Sequence, residues 1–182
     1  SMRFLLYNIA YGTGAPRSAA HRAFTLHRYL RAADHHIHRI QQFIAGTDPD
    51  LVGLVELDTG SMRAGGRNHA AEFARVLSHQ YTYCSKYRRG SVGRVLPILR
   101  HQGNALFSRQ PLEACLHHFL PVGFKRLVLE ARTESVHIFL VHLALNQRTR
   151  EKQLRYLARL VGEARKPVIV AGDFNVFRGP NE

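Results

Sequence analysis

Short apolar segments alternate with polar, glycine-rich and proline-rich segments along this chain. Eight of the apolar segments are rich in strand-forming residues and are bounded by turn residues, which is typical of buried β-strands. They cover residues 3–10, 51–57, 81–87, 104–108, 112–119, 126–132, 136–144 and 167–171. The polar segment 58–68, between the second strand and a helical pattern, is predicted to be a loop.

Three longer segments instead show apolar residues at helical spacing. The first covers residues 19–45, in two pieces, and Gly46 closes it. The second covers 69–78 and the third 149–164, where Thr149 is the predicted N-cap and Glu151 falls in the first turn. The predicted apolar face of the third helix comprises Leu154, Leu157, Ala158, Val161 and Ala164.

The order of these elements defines the fold class. Strands outnumber helices, and hairpins are mixed with helical connections, which favours an α/β protein whose mixed sheets are covered by helices. The length of 182 residues suits one domain, and the sequence has neither internal repeats nor a linker that would divide it.

Charge adds a hypothesis about partners. The chain has 26 Lys and Arg against 13 Asp and Glu, a net charge of +13, and only four of the basic residues are Lys. Arginine binds phosphate oxygens with two parallel donors, so this excess favours a polyanionic partner such as nucleic acid or an acidic membrane surface. The alternative is an arginine-rich surface that is simply solvated.

The composition also bears on the cellular compartment of the protein. No apolar run reaches the roughly 20 residues that span a bilayer, and no secretory signal opens the chain. Cys84 and Cys115 do not have the spacing of a zinc site and are too few for a disulfide framework. We therefore expect a cytoplasmic protein without a transmembrane segment.

Candidate chemistry lies at the ends of the predicted strands. Asn8, Glu56, His142, Asp173 and Asn175 are polar residues at or near strand ends that are otherwise apolar. A buried carboxylate needs a partner, and a hard cation that takes oxygen ligands is one. Each residue also has a structural alternative: Asn8 at a strand end, Glu56 paired with an arginine, His142 in the core, and Asp173 with Asn175 in an Asx turn.

The ordered motifs resemble a known family. Asn8 follows the first strand, the segment from Pro49 to Glu56 delivers a glutamate, and the segment from Gly103 to Arg109 forms a central strand. Val141-His142-Leu143 and Gly172-Asp173-Phe174-Asn175 complete the series. Together they resemble the endonuclease/exonuclease/phosphatase superfamily, which includes DNase I-like nucleases, abasic-site endonucleases, sphingomyelinases and inositol phosphatases. The resemblance extends from Arg3 to Glu182.

The resemblance implies a DNase I-like fold, a four-layer α-β-β-α sandwich with two mixed sheets. It implies that Glu56 binds a catalytic Mg²⁺ or Mn²⁺ ion and that Asn8 lies beside the metal. Asp173 would orient and help to deprotonate the attacking water. Asn175 and His142 would contact the phosphate and stabilise its developing charge.

One departure from the family pattern affects the expected activity. The family places a further Asp and then an Asp-His pair after the Gly-Asp-Phe-Asn segment, and neither occurs in the seven residues that follow Asn175. We therefore expect residues 1–182 to form a single domain that lacks its last strands and is inactive or weakly active. Such a domain is expected to self-associate through its exposed edge.

Three functions remain open from the sequence. The first is a metal-dependent phosphodiester hydrolase acting on nucleic acid, favoured by the motifs and the charge. The second has the same chemistry on a lipid or small phosphoester, and the third is a non-catalytic module that binds polyanions. Two weaker candidate sites are a histidine cluster that could hold a metal or simply be solvated (His35, His36 and His38) and a basic loop that could grip phosphates (Arg88, Arg89, Arg94 and Arg100).

Overall fold

The computed structural model describes residues 1–9, 26–58, 68–85, 102–120 and 127–176. Three sequence predictions lie outside these residues: the first piece of the helix predicted from residue 19, most of the loop at 58–68, and the basic loop that contains Arg88, Arg89, Arg94 and Arg100. Cys84 and Cys115 are free thiols. None of the described helices combines the length and the apolar composition of a membrane-spanning segment.

The described elements follow the predicted order. The elements before the third helix are β1 (Phe4–Asn8), α1 (Leu26–Gly46), β2 (Leu51–Asp58), α2 (His69–Leu77), β3 (Gln80–Ser85), β4 (Gln102–Ser108), β5 (Ala114–Phe119), β6 (Leu127–Arg132) and β7 (His137–His142). The last two are α3 (Gln147–Gly162) and β8 (Val168–Asp173). Gly46 is the last residue of α1, as predicted.

Two four-stranded mixed sheets form the centre of the molecule. The first has the order β1-β2-β4-β3 and the second the order β5-β6-β7-β8. β1 runs parallel to β2, and β7 runs parallel to β8, while the other neighbours are antiparallel. The α/β sandwich with two mixed sheets is therefore confirmed.

Three groups of buried side chains define four layers. Ile37, Ile40 and Ile44 of α1 and Phe73 of α2 pack against the outer face of the first sheet. A second group, which includes Leu129 and Leu140, fills the space between the sheets. A third group joins the outer face of the second sheet to α3. Helices thus cover both outer faces, and the alternation of side chains along the strands separates the layers.

The prediction for α3 was wrong in two respects. The helix begins at Gln147, and its N-cap is Asn146, whose side chain accepts a hydrogen bond from the Thr149 amide at 3.1 Å. Glu151 therefore lies beyond the first turn. The predicted apolar face is also shifted: Leu154 and Ala158 are exposed. The fully buried positions of α3 are Arg150, Gln153 and Leu157.

A buried carboxylate lies on the outer face of the second sheet, the face that also carries Phe139, its neighbour in the strand register. Glu130 of β6 accepts hydrogen bonds from His118 of β5, from His137 of β7 at 2.6 Å and from Arg132 at 2.7 Å. Burial by itself raises the pKa of Glu130, but the hydrogen bonds from His137, His118 and Arg132 together hold it below the usual glutamate range. This carboxylate connects three neighbouring strands.

Replacing Glu130 with Gln is expected to destabilise the fold by about 3 kcal/mol, because it removes one partner of a buried ionic group. Because the folded-state pKa is lowered, the stabilisation is present above the unfolded-state pKa of about 4.3 and is lost as the pH falls through the folded-state pKa. Urea unfolding at neutral and acidic pH measures both effects. Glu134→Gln, an exposed change in the same hairpin, is the matched control. Equal stability of the two variants would contradict the prediction.

Candidate functional site

Polar residues from both sheets meet at one end of the sandwich. Asn8 ends β1, Glu56 lies near the end of β2, and His142 and Asp173 end β7 and β8. Parallel pairing places Asn8 next to Val55 and His142 next to Asp173 in the register of the strands. The carboxyl ends of two parallel pairs therefore bring together the residues that the sequence predicted.

A bulge in β2 directs Glu56. The pairing of β2 with β4 shifts by one residue between Leu54 and Leu57, so β2 contains an extra residue there. Glu56 has φ +57°, a left-handed conformation that is uncommon for a non-glycine residue. Val55 packs between the sheets and Leu57 packs under the helices, so the bulge frees Glu56 from the strict alternation. Bulges of this kind commonly redirect a side chain at a functional site.

Gly172 allows β8 to approach β7 closely just before Asp173. It has φ +143°, and a Cβ atom there would lie 1.9 Å from the carbonyl oxygen of Val141. The chain then turns at Asp173, whose Oδ1 accepts the amide hydrogen of Asn175 at 2.9 Å. The Asx turn considered from the sequence is therefore present. It leaves Asp173 Oδ2 to face β7.

His142 lies between the two carboxylates. Its Nε2 is 3.5 Å from Asp173 Oδ2 and 3.8 Å from Glu56 Oε1. The imidazole is only 5% exposed, whereas the side chains of Glu56 and Asp173 are 20% and 33% exposed. The two carboxylates therefore line an accessible surface, and the buried imidazole of His142 lies beneath them.

The loop after β7 is held from two sides. Asn175, in a left-handed conformation with φ +53°, donates its side-chain amide to the carbonyl of Leu143 at 2.7 Å. From the other side, Gln153 accepts the amide hydrogen of Ala144 at 2.8 Å. Arg150 donates to the carbonyls of Ala144 and Leu145 at 3.1 and 2.9 Å.

Sequence reasoning missed Arg150 and Gln153. They are buried polar residues of α3, three residues apart, and they follow His142 by eight and eleven residues. This spacing does not indicate a contact with the site unless the structure is known. Their contacts explain the shifted face of α3, because their polar atoms are satisfied by the loop backbone and can be buried at low cost.

Two of the roles predicted for the site residues stay predictions. Asn8 is brought next to the bulge, but its role beside a metal stays a prediction. The contact of Asn175 with phosphate also stays a prediction, since the described contacts of this residue are with Leu143 and Asp173. In the histidine cluster, His35 and His38 are exposed, and the ring of His38 lies 3.1 Å from the Gln42 amide.

The model of the Endonuclease/Exonuclease/phosphatase family matches residues 5–181. The chain belongs to this family. Among curated proteins, it is 40% identical over 88 residues to the uncharacterized protein YbhP of Escherichia coli K12, a match that covers 43% of this chain and 35% of YbhP.

Solved structures share the family fold. An endonuclease/exonuclease/phosphatase from Beutenbergia cavernae has a TM-score of 0.64 at 20% identity, covering 98% of this chain and 48% of that one. ANGEL2, a 2',3'-cyclic phosphatase, in complex with adenosine-2',3'-vanadate, has a TM-score of 0.55 at 21% identity, covering 77% of this chain and 44% of ANGEL2. The matched part of the chain thus spans about half of these proteins or less.

The residues at the site fit a hard divalent cation of the kind that this family uses. In the part of the chain that the structure describes, no group of three or more His, Cys, Asp and Glu side chains could enclose a metal ion. Mg²⁺ does not require such an enclosure, because it binds through one or two carboxylates and retains water. Glu56 and Asp173 are two partly exposed carboxylates on either side of one imidazole. Their oxygens are the donor type that such an ion takes.

Proposed function

We propose that this chain carries the site of a metal-dependent phosphodiester hydrolase that acts on nucleic acid. The observation that supports the proposal most directly is the convergence of Glu56, His142 and Asp173 from two sheets, with Nε2 of His142 within 3.8 Å of both carboxylates. Family membership supports hydrolysis of phosphoesters, and the phosphatase activity of ANGEL2 is in line with it. The net charge of +13 favours a polyanionic substrate.

Glu56 is the proposed metal ligand. Its left-handed backbone on the bulge directs the carboxylate toward His142 and the accessible surface. Mg²⁺ or Mn²⁺ held by Glu56, with Asn8 beside it, would polarise a phosphoryl oxygen and orient the substrate. The strand pairing on both sides of the bulge holds Glu56 in its strained left-handed conformation and so keeps the ligand in place.

Asp173 is the proposed base. Its Oδ1 is occupied by the Asn175 amide, so the carboxylate cannot rotate freely and Oδ2 stays directed toward the site. A water held at Oδ2 would lose its proton to this oxygen as the water oxygen attacks the phosphorus atom. The P–O bond to the leaving group breaks as the new bond forms, and the leaving alkoxide takes a proton from solvent. His142 Nε2 lies near enough to orient the carboxylate, and its predicted contact with the phosphate stays a prediction.

Binding of Mn²⁺ to the chain tests the metal site without depending on turnover. We expect Glu56→Gln to weaken Mn²⁺ binding by at least about tenfold, because it removes the charge of the main ligand, and to abolish metal-dependent nicking of supercoiled plasmid. Glu134→Gln, which changes an exposed glutamate of the β6–β7 hairpin, is expected to behave like the unchanged chain. Titration calorimetry, and nicking with and without EDTA, measure both. Unchanged Mn²⁺ affinity in Glu56→Gln would refute the assignment.

A small synthetic phosphodiester tests the hydrolysis reaction separately from the class of the natural substrate. Hydrolysis of bis(4-nitrophenyl) phosphate without nicking of plasmid would favour a lipid or small phosphoester as the substrate.

Self-association through the outer strands β1 and β8 is a further proposal about the chain. Leu6 and Val168 are exposed large apolar residues on these strands, and sedimentation at rising concentration tests it.

A further inference from the structure

The exposed face of α3 carries a row of basic side chains. Arg148, Lys152, Arg155 and Arg159 are separated by four, three and four residues. At 3.6 residues per turn, these steps keep all four within an arc of about 60° and over a length of about 16 Å. We call these four residues the α3 basic stripe.

The stripe faces solvent directly. Leu157, Leu160 and Val161 of α3 pack on the second sheet. Leu157 lies on the side of the helix opposite Arg148. All four members of the stripe are exposed. None of them forms an ion pair with another residue in the ranges that the structure describes. Glu151 lies at the border of the stripe, where its described partner is Gln147.

The stripe starts near the candidate site. α3 begins five residues after His142, and the connecting loop is held by Asn175 of the site and by Arg150 and Gln153 of the helix. The N-terminal end of α3, with Arg148, is therefore fixed to the rim of the site. A polyanion that leaves the site across this rim would meet Arg148 first and the rest of the stripe next.

The spacing of the charges fits a phosphate backbone. One strand of a duplex carries one phosphate per 3.4 Å of axis, so about 16 Å of stripe faces about five phosphates. Four cations without an ion pair among the described residues would release condensed counterions from the backbone, which gives binding that is independent of base sequence. Three of the four are arginines, which bind phosphate with two donors.

A membrane surface fits the same stripe less well. Helices that bind at a membrane interface bury an apolar face in the lipid, and the apolar face of α3 is already packed on the second sheet. Leu154 is exposed but lies about 120° around the helix from the stripe, so it cannot enter lipid while the stripe contacts headgroups.

We propose that the α3 basic stripe is a binding surface for the phosphodiester backbone of nucleic acid that flanks the candidate site. The proposal rests on the proposed function in naming the substrate of that site. Its own content is a contact outside the site, which holds the nucleic acid whether or not hydrolysis follows.

The test measures binding of a fluorescein-labelled DNA duplex to the full chain in EDTA, at several salt concentrations, by fluorescence anisotropy. Arg155→Gln/Arg159→Gln is expected to weaken binding by at least about tenfold and to reduce the slope of log affinity against log salt by about 2. The matched control is Arg39→Gln/Arg75→Gln, the same change at exposed arginines of α1 and α2 over the other sheet. This control should lose far less affinity and slope.

Equal losses in the two double variants would overturn the proposal, because binding would then depend on net charge alone. Stripe-dependent binding to phosphatidylserine vesicles in place of DNA would also overturn it. Hydrolysis of bis(4-nitrophenyl) phosphate distinguishes this result from the failure of the proposed function. Stripe-dependent DNA binding without any such hydrolysis would retain the surface and reject catalysis by this chain. Hydrolysis with stripe-independent DNA binding would retain catalysis and reject the surface.

Discussion

Replacing Asp173 with Asn is expected to lower the rate of phosphodiester hydrolysis by about 10²- to 10⁴-fold, the usual contribution of a positioned general base. The amide keeps an oxygen that can accept the Asn175 hydrogen, so the turn is expected to survive the change. In the variant, the atom that faces His142 is either the uncharged amide oxygen or the amide nitrogen. Neither atom can take a proton from water. Initial rates with bis(4-nitrophenyl) phosphate in Mn²⁺ measure the effect.

The control for this variant is Asp48→Asn. Asp48 is exposed and pairs with Arg3 and Arg109 at the opposite end of the strands, so the same chemical change there should leave the rate within about twofold. Mn²⁺ binding should be largely retained in Asp173→Asn if Glu56 is the main ligand. A rate equal to that of Asp48→Asn would remove Asp173 from the mechanism, and a coincident loss of Mn²⁺ binding would reassign it as a ligand.

Replacing Gly172 with Ala is expected to destabilise the chain by about 4 kcal/mol. The added Cβ atom would meet the Val141 carbonyl oxygen at 1.9 Å, and this neighbour is backbone that cannot rotate away. Overpacking costs about 1–3 kcal/mol, and the unfavourable φ of +143° adds about 1–3 kcal/mol. To relieve the contact, β8 must move from β7, which would displace Asp173 from His142 and lower activity as well.

Gly162→Ala is the matched control, because no atom lies within 4 Å of the Cβ that it would add near the end of α3. That variant should be as stable as the unchanged chain or more stable by up to about 1 kcal/mol. Urea unfolding of both variants gives the comparison. If Gly172→Ala unfolded at the same urea concentration as Gly162→Ala, the close approach of β7 and β8 would be wrong.

The sequence predicted the strands and helices well where apolar periodicity was strong. The segment 51–57 is observed as Leu51–Asp58, and Ile37, Ile40 and Ile44 form the buried side of α1 as their spacing indicated. The last strand was predicted to end at Ala171 but continues to Asp173, because its pairing with β7 extends to His142. Pairing with a neighbouring strand extends a segment whose own composition predicts a loop.

The exposed and buried faces of α3 could not be assigned from the sequence. Leu154 and Ala158 have apolar side chains and were assigned to the buried face, whereas Arg150 and Gln153 are the residues that are buried. Hydrophobicity alone predicts the reverse, since burying a charged group without partners is costly. The carbonyls of Ala144 and Leu145 and the amide of Ala144 supply those partners, and they come from a loop whose conformation is tertiary.

The sequence by itself determined the family, the mixed α/β sandwich and the identity of the strand-end residues that form the candidate site. These follow from local patterns and ordered motifs, which do not depend on distance in space. Only the tertiary structure decided that Glu56 lies on a bulge, that Gly172 brings β8 against β7, and that His142 lies between two carboxylates. Each of these depends on the register between strands far apart in sequence, and one residue of shift would direct the same side chains to the opposite face.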